Sequence, residues 1–477
     1  MHGNVLAIDQ GTSGTKALVL DADLAVLSCV EAAVRPTTYD GGLAEHDPHA
    51  LLASVIDTGR RALAESGVEV DAVALANQGE TVLAWDRDTG TPLSPMLVWH
   101  DRRAKPVCDR LRDHEDELHA ITGLPLDAYF GAPKMAWIRD NVTSEGIVSS
   151  SDAWLVNRLT GECVTDVSTA SRMLLAHVDG SGWSGRALEI FGLTPESMPR
   201  IVGNLEVVGT TDAFGPRGLP VTGLVVDQQA ALLGQRCLQP GDTKCTYGTG
   251  AFLLAHTGFQ PVLEGGGLVP SVAWRTGDRT EFCVDGQVLT AGSAVSWLRD
   301  MGWITGPEDL DRLSQTVRGS EGVTFVPSFA GLAAPQWNPD ARAQVRGLSL
   351  AHGPGHLVRA FVEGLAALVA DLADAATTAT GMPLTALRVD GGLTRSRALM
   401  QAQADLVQAP VQVHASPHAT ALGAGILALA YSRGTTDLAS VAPETAPAEE
   451  FVPVMSHDDA AEVRDRVRAA CADEARS

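Results

Sequence analysis

Short apolar runs alternate along this chain with longer stretches in which apolar residues recur every three to four positions. Runs at 5–8 and 17–20 predict adjacent strands, and 25–34 predicts a third. Residues 48–65 have helical spacing, with Asp47 as N-cap and Pro48 at the first helical position. Residues 70–76 read as a buried strand, 81–85 as its partner after a short turn, and 105–118 as a polar helix. Gly, Pro and Thr then cluster over 203–222, before an apolar strand at 222–226 that ends at Asp227. A second alternation runs from about 241 to 432. It contains a strand at 322–327, a long apolar helix at 355–380 and a strand at 386–389 ending in Asp390-Gly391-Gly392. Helices follow at 399–407 and 420–429, a linker at 439–453 and an amphipathic helix at 458–472. This alternation predicts an α/β fold in which helices cover mixed or parallel sheets.

The length of 477 residues exceeds what one core usually supports, so two domains are expected. No apolar run reaches the roughly 18 residues of a membrane span, and the first strand begins too early to leave room for a signal peptide. Seven scattered cysteines without a CxxC pair predict free thiols in a reducing cytoplasm, with Cys245 a buried one. A formal charge of −23 makes nucleic acid and anionic membrane unexpected partners. An anionic ligand would need local donors and a divalent cation.

Two turns supply such donors. Asp9-Gln10-Gly11-Thr12-Ser13-Gly14-Thr15-Lys16 follows the first strand, and Tyr247-Gly248-Thr249-Gly250 opens the second half. Glycine allows close backbone approach to an anion, and hydroxyls and free N–H groups donate to it. Either turn alone also serves as an ordinary chain reversal, but the pair suggests two lobes closing on one polyphosphate and an ancient duplication. Asp9, at a strand end, either bonds its own turn or faces Mg²⁺. Lys16 either reaches a phosphate or is a solvated strand-end lysine. Asp227 is either a helix cap or a general base for a hydroxyl attacking phosphorus. The segments Asn77-Gln78-Gly79-Glu80-Thr81 and Val98-Trp99-His100-Asp101 mix amides, carboxylates and an aromatic face, as a polyhydroxy ligand requires. The segment from Tyr129 to Ile138 is ambiguous by itself.

Together and in this order, these segments resemble the FGGY carbohydrate kinases, and among them the glycerol kinases. The likeness also takes in 150–155, 166–174, 223–234, 246–254, 326–348, 389–411 and 420–424, and so covers nearly the whole chain. It implies two actin-like (ribonuclease H-like) domains, at 1–236 and 237–477, with an interdomain ATP cleft. It further implies ATP and Mg²⁺ as cofactors, a small polyol or sugar as substrate, and a homodimer. By the resemblance, Asp227 matches the catalytic base, and Asp9 with Asp227 lies near the metal. Thr12, Ser13, Gly14 and Lys16 match the first phosphate turn and Thr249 the second. Gly292, Ser296, Gly392 and Ser396 fall where the family meets the nucleotide. Glu80, Trp99, Tyr129, Asp227, Gln228 and Phe252 match the residues around glycerol.

The departures concern the substrate. Gly79 stands where glycerol kinases carry an arginine, so charge-assisted bonds worth about 1.5–3 kcal/mol each are missing. The change also vacates the room of a long side chain, which favours a four- or five-carbon polyol or a ketose such as xylulose over glycerol. His100 replaces a common Gln near the sugar, and Ser296 and Ser396 replace amide residues near the nucleotide. The loop at 212–220 is shorter than the one glycerol kinases use for feedback by a sugar bisphosphate, so that regulation is not expected. A non-catalytic sugar sensor is a distant alternative, disfavoured by the retained Asp227 and the lack of an appended helix-turn-helix. An actin- or chaperone-like ATPase would need partner-binding extensions that this chain does not show.

Overall fold

The computed structural model describes residues 3–39, 42–263 and 265–474. Its centre is a pair of sheets built to the same plan. In the first, the antiparallel strands Val26–Ala33, Gly14–Leu20 and Val5–Gln10 are continued by Ala72–Asn77 and Leu219–Val226, each parallel to its inner neighbour. In the second, Arg279–Val288, Ala251–Gly258 and Thr243–Tyr247 are continued by Leu387–Asp390 and Val411–Val413 in the same senses. The echo seen in two turns therefore extends through five strands of each sheet.

Buried strands such as Val5–Gln10 and Ala72–Asn77 are apolar on both faces because helices cover both. One covering layer is the helix pair Asp227–Gly234 and Ala419–Arg433, which lies between the sheets and joins residues of both halves in one core. Glycine makes the contact possible: a Cβ on Gly423 would lie 1.8 Å from the Ala230 carbonyl oxygen, and one on Gly234 1.9 Å from that of Ala419. Gly423→Ala should therefore cost about 1–3 kcal/mol, read as a lower urea midpoint at unchanged slope.

Three local expectations need correction. Residues 82–85 do not pair with the strand at 72–77. They join an inserted five-stranded sheet with Thr37–Tyr39, Leu43–His46, Met96–Leu97 and Ile147–Ser150. Both strands are wholly buried, so periodicity carries no record of which partner each takes. The polar helix expected at 105–118 is broken at Leu111 into Lys105–Arg110, a 3₁₀ turn Arg112–His114 and Glu115–Thr122. The stretch read as a linker contributes Glu449–Phe451, an edge strand on Val411–Val413. None of the seven cysteines is in a disulfide, and burial pushes the Cys245 thiol up to about 12.

Candidate active site

Both turns open on one cleft between the sheets. In the first, the Gly11 N–H donates to the Gly14 carbonyl at 3.0 Å. Gly14 answers a packing demand, since a Cβ there would sit 2.7 Å from the Ala32 carbonyl oxygen. In the second, the Gly248 N–H donates to Gly250 at 2.8 Å and Thr249 is left exposed. The carbonyls of this turn accept N–H groups of Ala291, Gly292 and Ser293 at 2.9, 3.0 and 3.1 Å, which docks the helix Gly292–Asp300 directly on it.

Thr12, Ser13 and Thr249 share a cavity of about 170 Å³ with Asp227 and Gln228. Its far wall is Gly79, Glu80, Trp99, Tyr129 and Phe252. Trp99 meets the rings of Tyr129 and Phe252 edge to face, each at 5.8 Å, and its indole N–H donates to Thr12 Oγ1 at 2.9 Å. The aromatic wall and the first turn are thus one hydrogen-bonded unit. Tyr129 is held from behind by the buried Lys134, whose ammonium donates to the carbonyls of Ala128, Tyr129 and Phe130 at 2.9, 2.6 and 2.7 Å.

Asp227 occupies the first turn of its helix, and its carboxylate, drawn on by the Gln228 N–H, lines the cavity. Burial, aided by the negative charges of Asp9 and Glu80, pushes its carboxyl up to about 7, against a pull from Lys244. Asp9 rises to about 6, chiefly by burial, with Lys16 opposing and Asp390 adding to the rise. Lys244, buried in the adjacent strand, donates to Gln228 Oε1 at 2.7 Å and to Thr246 Oγ1 at 3.0 Å, and that hydroxyl donates to Asp390 at 2.6 Å. Among the described residues no three Asp, Glu, His or Cys side chains form a ready metal cage. Carboxylates that raise one another's proton affinity nevertheless suit a divalent cation that takes its remaining ligands from phosphate oxygens and water.

The remaining expected residues lie elsewhere. His100 packs edge-on against Trp99 at 4.7 Å and lines a neighbouring cavity of about 870 Å³, not the one holding Asp227. Its imidazole is pushed towards the neutral form by burial. Ser396 is buried, caps the helix Arg397–Val407 and donates to Asp311 at 2.6 Å, so its hydroxyl is committed within the lobe. Ser296 donates to the Gly292 carbonyl at 3.1 Å. Gly392 is exposed, and a Cβ there would meet nothing within 4 Å.

Sequence reading missed the strongest electrostatic feature. Arg172 reaches into the cavity, with Nε donating to Glu80 at 2.6 Å and Nη2 lying 2.8 Å from Asp285, while Nη1 has no partner. Asp285 comes from the second sheet, so this buried ion triad spans the cleft. Burial raises the Glu80 carboxyl against the opposing pull of Arg172. Glu80 also adopts a left-handed backbone conformation, φ 51°, which is unfavourable for a residue with a Cβ and aims its carboxylate at the triad. One signal was available: Asp285 and Gln287 interrupt an apolar strand at period two.

The FGGY family of carbohydrate kinases, N-terminal domain, matches residues 4–234, and the C-terminal domain of that family matches residues 243–432. The chain belongs to the FGGY family of carbohydrate kinases. Over 96% of both chains it is 40% identical to a glycerol kinase of Trichlorobacter lovleyi. A glycerol kinase of Thermus brockianus is 39% identical over 90% of this chain and 89% of its own. Among solved structures, the Plasmodium falciparum glycerol kinase with ADP superposes with a TM-score of 0.90 at 29% identity, covering 99% of this chain and 98% of that one. A xylulose kinase from Lactobacillus acidophilus reaches 0.87 at 20% identity, covering 98% and 97%, a likeness of fold. The FGGY kinase described here has the actin-like two-domain architecture. It is an ATP-dependent phosphotransferase with an alcohol acceptor, glycerol-kinase-like. No helix of the described residues is long and apolar enough to cross a membrane.

Proposed function

We propose that the cleft transfers the γ-phosphoryl group of ATP to a hydroxyl of a small polyol or ketose, with Asp227 as general base. The observation that supports this is that Asp227 lines one cavity together with Glu80, the aromatic wall and both threonine turns. An acceptor hydroxyl against Asp227 gives up its proton as its oxygen approaches phosphorus, and a base so positioned contributes about 10²–10⁴-fold. Glu80 and Gln228 orient the remaining hydroxyls, and Trp99, Tyr129 and Phe252 pack on the carbon skeleton and exclude water. Thr12, Ser13 and Thr249 donate to the phosphates, with Lys16 a point charge at the strand end. Asp9 and Asp227 would hold Mg²⁺, which neutralises phosphate charge when bound.

In this reading residues 1–236 and 237–477 close as two lobes in the cytoplasm, with ATP along Gly292, Ser296 and Gly392. Gly79 favours a four- or five-carbon acceptor. A panel of polyols and ketoses in an ADP-release assay tests the proposal, and no acceptor-dependent release from any of them would refute it.

The acidity of Asp227 supplies a pH test. A base must be unprotonated, so kcat/KM for the acceptor should rise with unit slope and level off above a midpoint of about 7. Lys244 pulls that midpoint down, so Lys244→Met should move it up. A profile unmoved by the substitution would detach Asp227 from the limb.

A further inference from the structure

The space beside Gly79 is bounded on one side by Val226. A Cβ on Gly79 would lie 3.0 Å from Cγ2 of Val226, at the limit of what real contacts show. Both residues are buried and both line the cavity that holds Asp227. Val226 ends the strand Leu219–Val226, and its N–H donates to Ser168 Oγ at 3.0 Å, so the backbone that carries this side chain is pinned. The same cavity is lined by polar groups, among which Arg172 bridges Glu80 and Asp285 and keeps an Nη1 without a partner.

We propose that Val226, acting with Gly79, is a specificity-determining element: an apolar wall that takes the carbon skeleton of the acceptor and refuses a hydroxyl, while Arg172 is the guanidinium that serves the hydroxyls. This rests on the kinase reading above and names the acceptor class more closely. The favoured substrate carries its hydroxyls along the face turned to Glu80, Arg172 and Asp227 and presents only C–H groups to Val226. A hydroxyl forced against Val226 would be desolvated without a partner, and that discriminates by about 10- to 100-fold. Because the Val226 methyl group stands over position 79, an arginine placed there must displace that side chain.

The test is a double-variant cycle of Gly79→Arg and Val226→Gly, read in two ways. The first readout is kcat/KM by ADP release on glycerol and on four- and five-carbon polyols and ketoses. Gly79→Arg alone should lose at least about tenfold on every acceptor. Adding Val226→Gly should recover glycerol use and shift preference towards glycerol by at least about tenfold more than the two single effects multiplied. The second readout is melting temperature without ligands, where Val226→Gly should cancel most of the loss caused by Gly79→Arg. Multiplicative effects, or improved glycerol use by Gly79→Arg alone, would overturn the wall. If the wild type releases no ADP with any acceptor, the kinase reading fails instead. The thermal cycle still decides whether positions 79 and 226 are coupled.

Discussion

Asp227→Asn is expected to cut turnover by at least ~100-fold, leave acceptor affinity within a few-fold, and make the ligand-free protein more stable at alkaline pH. The loss follows from removing the carboxylate proposed as base, which lines the cavity with the aromatic wall and both turns. The gain follows from the same burial that makes Asp227 useful. Its folded proton affinity lies near 7 against an ordinary value of 3.8. A carboxyl raised in this way favours the fold fully below the lower value, and that contribution is lost as pH rises through the higher one. At pH 8 the ionised, buried carboxylate therefore costs the fold on the order of a few kcal/mol, which asparagine does not. Thermal melts at pH 5 and pH 8 check this: the variant's advantage should be larger at pH 8. A variant less stable at both values, with near-normal turnover, would remove Asp227 from both roles.

Arg172→Met should be the most destabilising single change at the site. It would leave Glu80 and Asp285 buried from opposite sides of the cleft without the cation that holds them, a loss of about 3–5 kcal/mol in the pattern of broken buried ion pairs. The denaturant midpoint should fall accordingly, and kcat/KM for the acceptor should fall with it. Pairing the change with Asp285→Asn removes one of the stranded charges and should recover part of the midpoint without restoring activity. A midpoint within about 0.5 kcal/mol of wild type for Arg172→Met would show that water satisfies the triad and that it does not bind the lobes together.

Much of this architecture was legible because its signals are local. The strand ends at Asp9, Asp227 and Asp390 were marked by apolar runs stopping at an acid. The two turns were marked by Gly and Thr between short apolar runs, and both face the shared cavity. What could not be read were contacts between distant segments. Nothing near position 79 reveals that Val226 covers it, nor that Arg172 and Asp285 approach Glu80 from separate segments. Gly79 suggested room for a long side chain, and Val226, from the neighbouring strand of the same sheet, closes one side of it. His100 was expected near the sugar because it stands where glycerol kinases commonly carry Gln. In the structure His100 lines the neighbouring cavity, to which Trp99 also contributes, and not the one that holds Asp227. Ser396 was aligned with the nucleotide, but its hydroxyl is engaged by Asp311, a residue that sequence distance hides.

The central claim is that this cleft joins ATP chemistry to a polyol hydroxyl through Asp227. The measurement that tests it most directly is ADP release in the presence of Mg²⁺ and ATP, with and without each acceptor, alongside a count of phosphorylated acceptor. The account predicts release that depends on the acceptor, one phosphorylated acceptor for each ADP formed, and loss of both in Asp227→Asn. ADP release at the same rate without any acceptor, or phosphorylated acceptor made as fast by Asp227→Asn, would contradict it.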